Sequence, residues 1–306
     1  MSHRDLDPAG MLRRYSRRPA DGHRGRDVAG IHRTPRSSNV QDTAGHPDAA
    51  YVPAVTFDVA PDAYARFMGR FSEPLAVQFA ELAQIQAGHR ALDVGCGPGA
   101  LTAQLVDRLG ADAVSAIDPS ASFVAAAHAR FPRVDVRCGV AEHLPFPDDS
   151  FDRALAQLVV HFMTDPVTGL SEMARVTSPG GLVAACVWDH AGGGGPLGTF
   201  WQAVHNMDPH ARDESQLAGA RDGHLADLCR AAGLEQVEST SLTVTVPFAT
   251  FADWWEPFTL GVGPAGAHVA RLDEAQREAL RLECARLQPP APFEVVAAAW
   301  CVRARA

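Results

Sequence analysis

The sequence predicts an α/β fold, a mostly parallel sheet with helices on both faces, and three observations carry that prediction. Between residues 90 and 190, short apolar runs alternate with segments of helical periodicity. Those runs are apolar on both faces, as strands buried between two helical layers must be. The chain then closes with "VESTSLTVTVPF", which alternates with period two, and "FEVVAAAWCVRARA", which is strongly apolar. A last pair of this kind is expected to join the same sheet antiparallel.

Composition fits that class and narrows the function. With 306 residues, 46% of them hydrophobic and 21% charged, the chain can bury a sizeable core. No apolar run approaches the roughly 18 to 20 residues that cross a bilayer. A net charge of −9 argues against a nucleic-acid partner, whose affinity rests on neutralising phosphates. All 27 basic residues are Arg, which excludes a Schiff-base lysine. Six scattered cysteines without a CxxC pattern predict free, mostly buried thiols and no zinc site. With no apolar core of a secretory signal near the N-terminus, a cytoplasmic location is expected.

Residues 1–50 hold nine Arg, six Asp and four His with almost no apolar periodicity, which predicts a disordered extension. The interspersed Asp residues weaken an organellar transit reading. Order is expected from about Phe57, and residues 57–306 as one domain. "PDAYARFMGRFSEPLAVQFAELAQI" has helical spacing and predicts two short helices broken at Ser72 to Pro74. Five strand predictions follow: "RALDVG", "DAVSAID", "VDVRCG", "FDRALAQLVV" and "GLVAACVWD". The helices between them are expected at "GALTAQLVDRL", "SASFVAAAHARF" and "TGLSEMARV". Beyond Trp188, "HAGGGGPLG" reads as a flexible loop and residues 199–232 as interrupted helix. Two further helices are expected around "FADWWEPFTLG" and "DEAQREALRLECARL".

The ligand site is expected where "ALDVGCGPGALT" turns from the first strand into its helix. Ligands of open parallel sheets lie beyond the carboxyl ends of the strands. Gly95-x-Gly97-x-x-Ala100 also satisfies the loose dinucleotide pattern, so glycine spacing leaves an NAD-dependent oxidoreductase open. Asp93 weighs against it, because a carboxylate aimed at a pyrophosphate repels it and suits a cationic ligand instead. Asp118 ends the second strand, 21 residues beyond Gly97, and can accept from both ribose hydroxyls. NAD enzymes use the same device, and an Asp that caps the helix starting at Ser120 to Phe123 is the lesser alternative.

With "VAEHLPFPDDSFD" the chain resembles the class I S-adenosylmethionine (SAM)-dependent methyltransferases, in their small-molecule, "type 11" and quinone-biosynthesis-like branch. "LDVGCGPGALT", "IDPS" and "RVTSPGGLVAACVWD" complete the resemblance over residues 60–190. It implies a Rossmann-like seven-stranded sheet ordered 3-2-1-4-5-7-6, with the last strand antiparallel and a cofactor-binding core over 60–190. It further implies that Asp93, Gly95 and Gly97 hold the methionine end of SAM, with Pro98 shaping the turn. Asp118 would take the ribose and Pro119 pack beside the adenine. Ala141 through its backbone, with Glu142, would meet the adenine amino group, and Gln157 would face the methionine moiety. "YARFMGRFS" resembles the helix that closes over the cofactor, which makes Tyr64 and Arg70 lid candidates.

Methyl transfer is an in-line displacement, so no catalytic dyad is obligatory. His161, just past the fourth strand, is the candidate general base, or a residue that only packs beside the cofactor. The [N/D]-P-P-[Y/F] motif of many DNA and protein N-methyltransferases is absent, and so is a Pro-Cys nucleophile. A small-molecule acceptor is therefore expected, with its pocket built from residues 190–290. Trp188, Trp201, Trp254, Trp255 and Phe258 are the aromatic candidates for its lining. A SAM-binding module without turnover remains a second expectation, since fold does not guarantee activity.

Overall fold

The computed structural model describes residues 61–306; the expected extension over 1–50 and the onset of order near Phe57 lie outside the described residues. A short α1 (Pro61–Tyr64) widens into a π-helical turn at Ala65–Gly69 and continues as α2 (Arg70–Leu82). The helix does not break at Ser72 to Pro74. Pro74 is the fifth residue of α2, and its missing N–H forfeits the bond to the Arg70 carbonyl without ending the helix. The irregular turn lies upstream of it, as a wide π-turn.

Strands and helices then alternate: β1 (Ala91–Val94), α3 (Ala100–Leu109), β2 (Val114–Asp118), α4 (Ala121–Arg130) and β3 (Asp135–Cys138). They continue as β4 (Phe151–Gln157), α5 (Pro166–Val176) and β5 (Thr177–Trp188). Helix starts follow local chemistry. The Ser120 side chain accepts from the Phe123 N–H at α4, and Asp165 accepts from Thr168 N–H at α5, with Pro166 in its first turn. The expected fourth strand runs to Val160, but β4 stops at Gln157 because Leu158 takes a left-handed φ of 62° and turns the chain.

The second half adds α6 (Gly198–Met207), α7 (His224–Ala231), β6 (Glu235–Phe248), α8 (Phe251–Trp255), α9 (Gly263–Arg271), α10 (Glu274–Leu287) and β7 (Phe293–Arg305). Helix α9 was not expected, since its Gly-Pro-Ala-Gly start reads as a turn; Pro264 in the first helical turn is nonetheless well placed. A capping box of Asp273 and Gln276 starts α10.

All seven strands form one sheet, in the order β3-β2-β1-β4-β5-β7-β6. β1 to β5 run parallel, and β7 pairs antiparallel with both β5 and β6. Alternation assigns side chains to two cores. Leu92 and Val94 of β1 join Ala154 and Ala156 of β4 in the layer under α5. The opposite face carries Leu155 with Leu75, Phe79 and Leu105 of α2 and α3. Asp93 and Gln157 alternate onto that second face, which is how the sheet brings Asp93 to α3 and Gln157 to α2.

The stretch after β5 is an anchored cage, not a flexible loop. Asp189 Oδ1 accepts from the Gly192 N–H at 2.8 Å and from Trp300 Nε1 at 3.1 Å. The backbone closes around it through Asp189 N to Ala298 O, Gly195 N to Asp189 O and Ala298 N to Gly194 O. A Cβ on Gly192 or Gly194 would fall 2.5 or 2.6 Å from the Asp189 carboxylate, so a side chain at either position would displace that carboxylate.

Candidate functional site

A cleft of about 830 Å³, counting its open mouth, lies at the carboxyl ends of β1, β2 and β4. One end is built by the two turns after β1 and β2. Gly95 and Gly97 form its wall with Asp118, Pro119 and Phe123.

The first turn is held open by torsion and by hydrogen bonds. Gly95, Gly97 and Gly99 take φ of 70°, 53° and 93°, values that side chains disfavour. The Gly95 and Cys96 N–H groups donate to Ile117 O at 2.7 and 3.0 Å, tying the turn to β2. Asp118 completes the tie: Oδ2 accepts from Gly97 N–H and Oδ1 from Ser120 N–H, each at 2.8 Å. Each oxygen keeps a lone pair for a further donor. A Cβ on Gly95 would lie 2.3 Å from Val159 Cγ2, whereas one on Gly97 would meet nothing within 4 Å. Gly97 is therefore the point where a ligand can approach the backbone. Pro98, between Gly97 and Gly99, is not in the cleft wall.

Asp93 lies behind that turn, buried and away from the wall. Its Oδ2 accepts from Thr102 Oγ1 at 2.6 Å, while Oδ1 is buried without a partner. Burial pushes its carboxyl up to about 7, against the Thr102 bond and with the help of the Asp118 charge. Asp118 is also raised, by burial, with the Ser120 and Gly97 N–H bonds opposing. Gln157 is in the wall; its Nε2 donates to Ser72 O at 2.9 Å and its Oε1 is buried and unpartnered. Tyr64 reaches the cleft from α1, its ring edge-on to Phe123 at 5.3 Å. Burial, then the Asp118 charge, pushes its phenol up to about 12.

Three expectations change. Arg70 does not close over the cleft: its guanidinium pairs with Asp253 at 3.0 Å, donates to Pro247 O and lies 4.2 Å over the Phe248 ring. Those partners pin α2 to the end of β6. Arg70→Ala is accordingly expected to lower stability by about 1–2 kcal/mol while leaving ligand affinity within twofold, as denaturant melts and calorimetry will show. The Glu142 side chain turns from the cleft, its Oε1 accepting from Thr164 and Asp165 N–H at 2.7 and 3.2 Å. It caps the approach to α5. Ala141 is buried beside it, and neither residue is in the wall. Of the five aromatics, only Trp188 lines the cleft; Trp201, Trp254, Trp255 and Phe258 pack in the core.

The far end of the cleft is apolar, with Phe67, Met68, Leu197 and Val262 in its wall, and holds three titratable groups. His161 sits in a 3₁₀ turn, Val160–Phe162; its Nδ1 is buried and unpartnered, and burial, then neighbouring His190, holds its pKa well below the usual range. His190 stands 5.7 Å away between ring centres, brought in by the Asp189 cage. Burial pushes its pKa down to about 4, with Asp213 and Asp189 opposing. Glu214 accepts from Trp201 Nε1, and burial raises its carboxyl to about 7. Sequence reading missed both His190 and Glu214. The first had a signal, a histidine between a carboxylate and four glycines; the second had none.

Among the described residues no cluster of His, Cys, Asp and Glu is arranged for a metal, and no helix is long and apolar enough to cross a membrane. All six cysteines are free, five of them buried and Cys138 exposed.

Residues 92–185 match the family model described as a methyltransferase domain. The chain is 38% identical over 106 residues to malonyl-[acyl-carrier protein] O-methyltransferase of Erwinia billingiae, covering 35% of this chain and 41% of that protein. It is 40% identical over 101 residues to ubiquinone biosynthesis O-methyltransferase of Rhodopseudomonas palustris, covering 32% and 39%. The match thus spans about two fifths of the length of these relatives. In structure, the chain is similar to phosphoethanolamine N-methyltransferase 2 of Haemonchus contortus, solved with SAM, at a TM-score of 0.50 and 18% identity, over 80% of this chain and 56% of that one. A protein of Bacillus halodurans assigned as a methyltransferase gives 0.51 and 18%, over 75% and 97%. Residues 92–185 thus match a methyltransferase domain, and the seven-stranded sheet that contains them has the fold of these solved structures.

Proposed function

We propose that this protein transfers a methyl group from SAM to a small organic acceptor, both bound in the one cleft. The observation that carries the reading is the junction of Gly97 and Asp118: a wall glycine with open space in front of it, bonded to a wall carboxylate with lone pairs to spare. Such a junction fits an adenosyl ligand. The ribose hydroxyls donate to Asp118, Pro119 and Phe123 border the base, and the Gly95–Gly97 turn holds the methionine end. When bound, the cofactor supplies a methyl group activated by a sulfonium. Gln157 Oε1 offers an acceptor to that end, and Tyr64 covers the cleft from α1. His161, uncharged at neutral pH, can accept a hydrogen bond or a proton from the acceptor.

Asp93 acts from behind the turn, and its ionisation is linked to a bound cation. Its folded pKa is raised, so below about pH 7 the carboxyl is largely neutral and adds little attraction. A cation nearby favours the ionised form, so affinity for SAM is expected to rise with pH between 5.5 and 7, by up to about tenfold per unit, and to level off above. Asp118, Cys96 and Thr102 are the groups around Asp93; burial raises both Asp118 and the Cys96 thiol, and Cys96, held well above its ordinary range, stays neutral across that window. Asp93→Asn is expected to flatten the slope in calorimetric titrations run across that range.

Turnover is tested by incubating the full chain with methyl-labelled SAM and fractionated metabolite extract. The expected result is label in a small organic product with stoichiometric S-adenosylhomocysteine. Tight SAM binding with no product across all fractions would instead make this a binding module.

A further inference from the structure

Two buried imidazoles stand side by side at the apolar end of the cleft, and the expected roles use only one of them. His161 and His190 both line the wall, with ring centres 5.7 Å apart and planes inclined by 57°. Nδ1 of His161 and Nε2 of His190 are buried with no hydrogen-bond partner. Buried polar atoms of this kind are uncommon and ask for a partner. The Asp189 cage fixes the placement of His190: the Gly192 N–H and Trp300 Nε1 hold the carboxylate, a Cβ at Gly192 or Gly194 would displace it, and His190 follows it directly.

The walls around the pair define the rest of the ligand. Phe67, Met68, Phe162 and Leu197 offer apolar surface, and Trp188 an indole face. No Arg is in the wall among the described residues, and the sequence contains no Lys, so nothing there neutralises a carboxylate or a phosphate. The charges that do border the cleft, Asp118 and Glu214, are acidic. Glu214 Oε2 accepts from Trp201 Nε1, and Trp188 Nε1 is a third buried wall atom without a partner, a donor beside the two imidazoles. A neutral imidazole donates through one nitrogen and accepts through the other, which matches a hydroxyl's own donor and acceptor.

We infer that His190 is a specificity-determining residue which, paired with His161, binds the hydroxyl of an uncharged, largely apolar acceptor and excludes anionic ones. The inference rests on the methyl-transfer reading above and deepens it. His161 is the nearer partner to the site of transfer, just past β4; His190 holds the hydroxyl from the side opened by the glycine cage. An acceptor bearing a carboxylate or phosphate at that end would lose its hydration and gain no cation in return.

The test uses the full chain saturated with S-adenosylhomocysteine and four matched probes: 4-propylphenol, 4-propylanisole, 4-propylbenzoate and 4-propylbenzylamine. Calorimetry is expected to show the phenol bound at least tenfold more tightly than the other three. His190→Phe should bring the phenol down to the affinity of the anisole, and His190→Asn should restore part of the difference. S-adenosylhomocysteine affinity should stay within twofold in both variants, which separates a lost hydroxyl site from a lost fold. Benzoate or benzylamine binding as well as the phenol, no probe binding to the loaded wild type, or an unchanged phenol affinity in both variants overturns the inference. Failure of the wild type to bind S-adenosylhomocysteine overturns the methyl-transfer reading, and this one with it.

Discussion

Asp118→Ala is expected to weaken SAM binding by at least tenfold, with the fold intact. Asp118 is asked to do two things with one side chain. It accepts from Gly97 and Ser120 N–H at 2.8 Å each, and its remaining lone pairs face the cleft. Hydrogen bonds to a charged group contribute about 1.5–3 kcal/mol each, so losing even one ribose contact accounts for about ten- to hundredfold. The N–H groups left behind add a stability cost of about 1–3 kcal/mol, reduced where water enters the cleft. Asp118→Asn keeps a carbonyl acceptor for one N–H and should fall between. Unchanged calorimetric affinity in Asp118→Ala would remove the ribose assignment, and the melting temperature shows whether a loss is specific.

The second large effect separates two glycines that look alike in sequence. Gly95→Ala sets a Cβ 2.3 Å from Val159 Cγ2 at a φ of 70°. Left-handed backbone costs a non-glycine residue about 1–2 kcal/mol, and overpacking a further 1–3, so a loss of about 3 kcal/mol in stability is expected. Val159→Ala in the same chain should recover part of it, because it removes both clashing methyls. Gly97→Ala has φ 53° and no neighbour within 4 Å, so its stability cost is only the torsional part. Its Cβ enters the cleft instead, and SAM affinity should fall at least tenfold. Denaturant melts and calorimetry on both variants check the crossover; the same pattern in both would mean the turn does not face the ligand.

The parts of this site legible in the sequence are those fixed by local chain geometry. The glycine turn, the carboxylate before it and the one ending β2 are placed by strand and turn alone, and their spacing survives in the fold. Glu142 and Arg70 were misplaced for a common reason. Position along the chain says where a side chain starts, not which neighbour takes it. Glu142 is taken by the Thr164 and Asp165 N–H groups, and Arg70 by Asp253, 183 residues away in sequence. The tetraglycine stretch illustrates the converse. Composition reads as flexibility, but Gly192 and Gly194 sit where a Cβ would meet the Asp189 carboxylate, and Gly193 takes a φ of 71°. Density of aromatics was a weak guide too, since Trp254 and Phe258 stack into the core, not the cleft.

The central claim is that an adenosyl sulfonium, and not a dinucleotide, occupies the cleft under the Gly97–Asp118 junction. Calorimetric titration of the full chain with SAM and, separately, with NADH tests it directly. Saturable one-to-one binding of SAM, with no heat from NADH, is the predicted result; saturable NADH binding with none for SAM would contradict it.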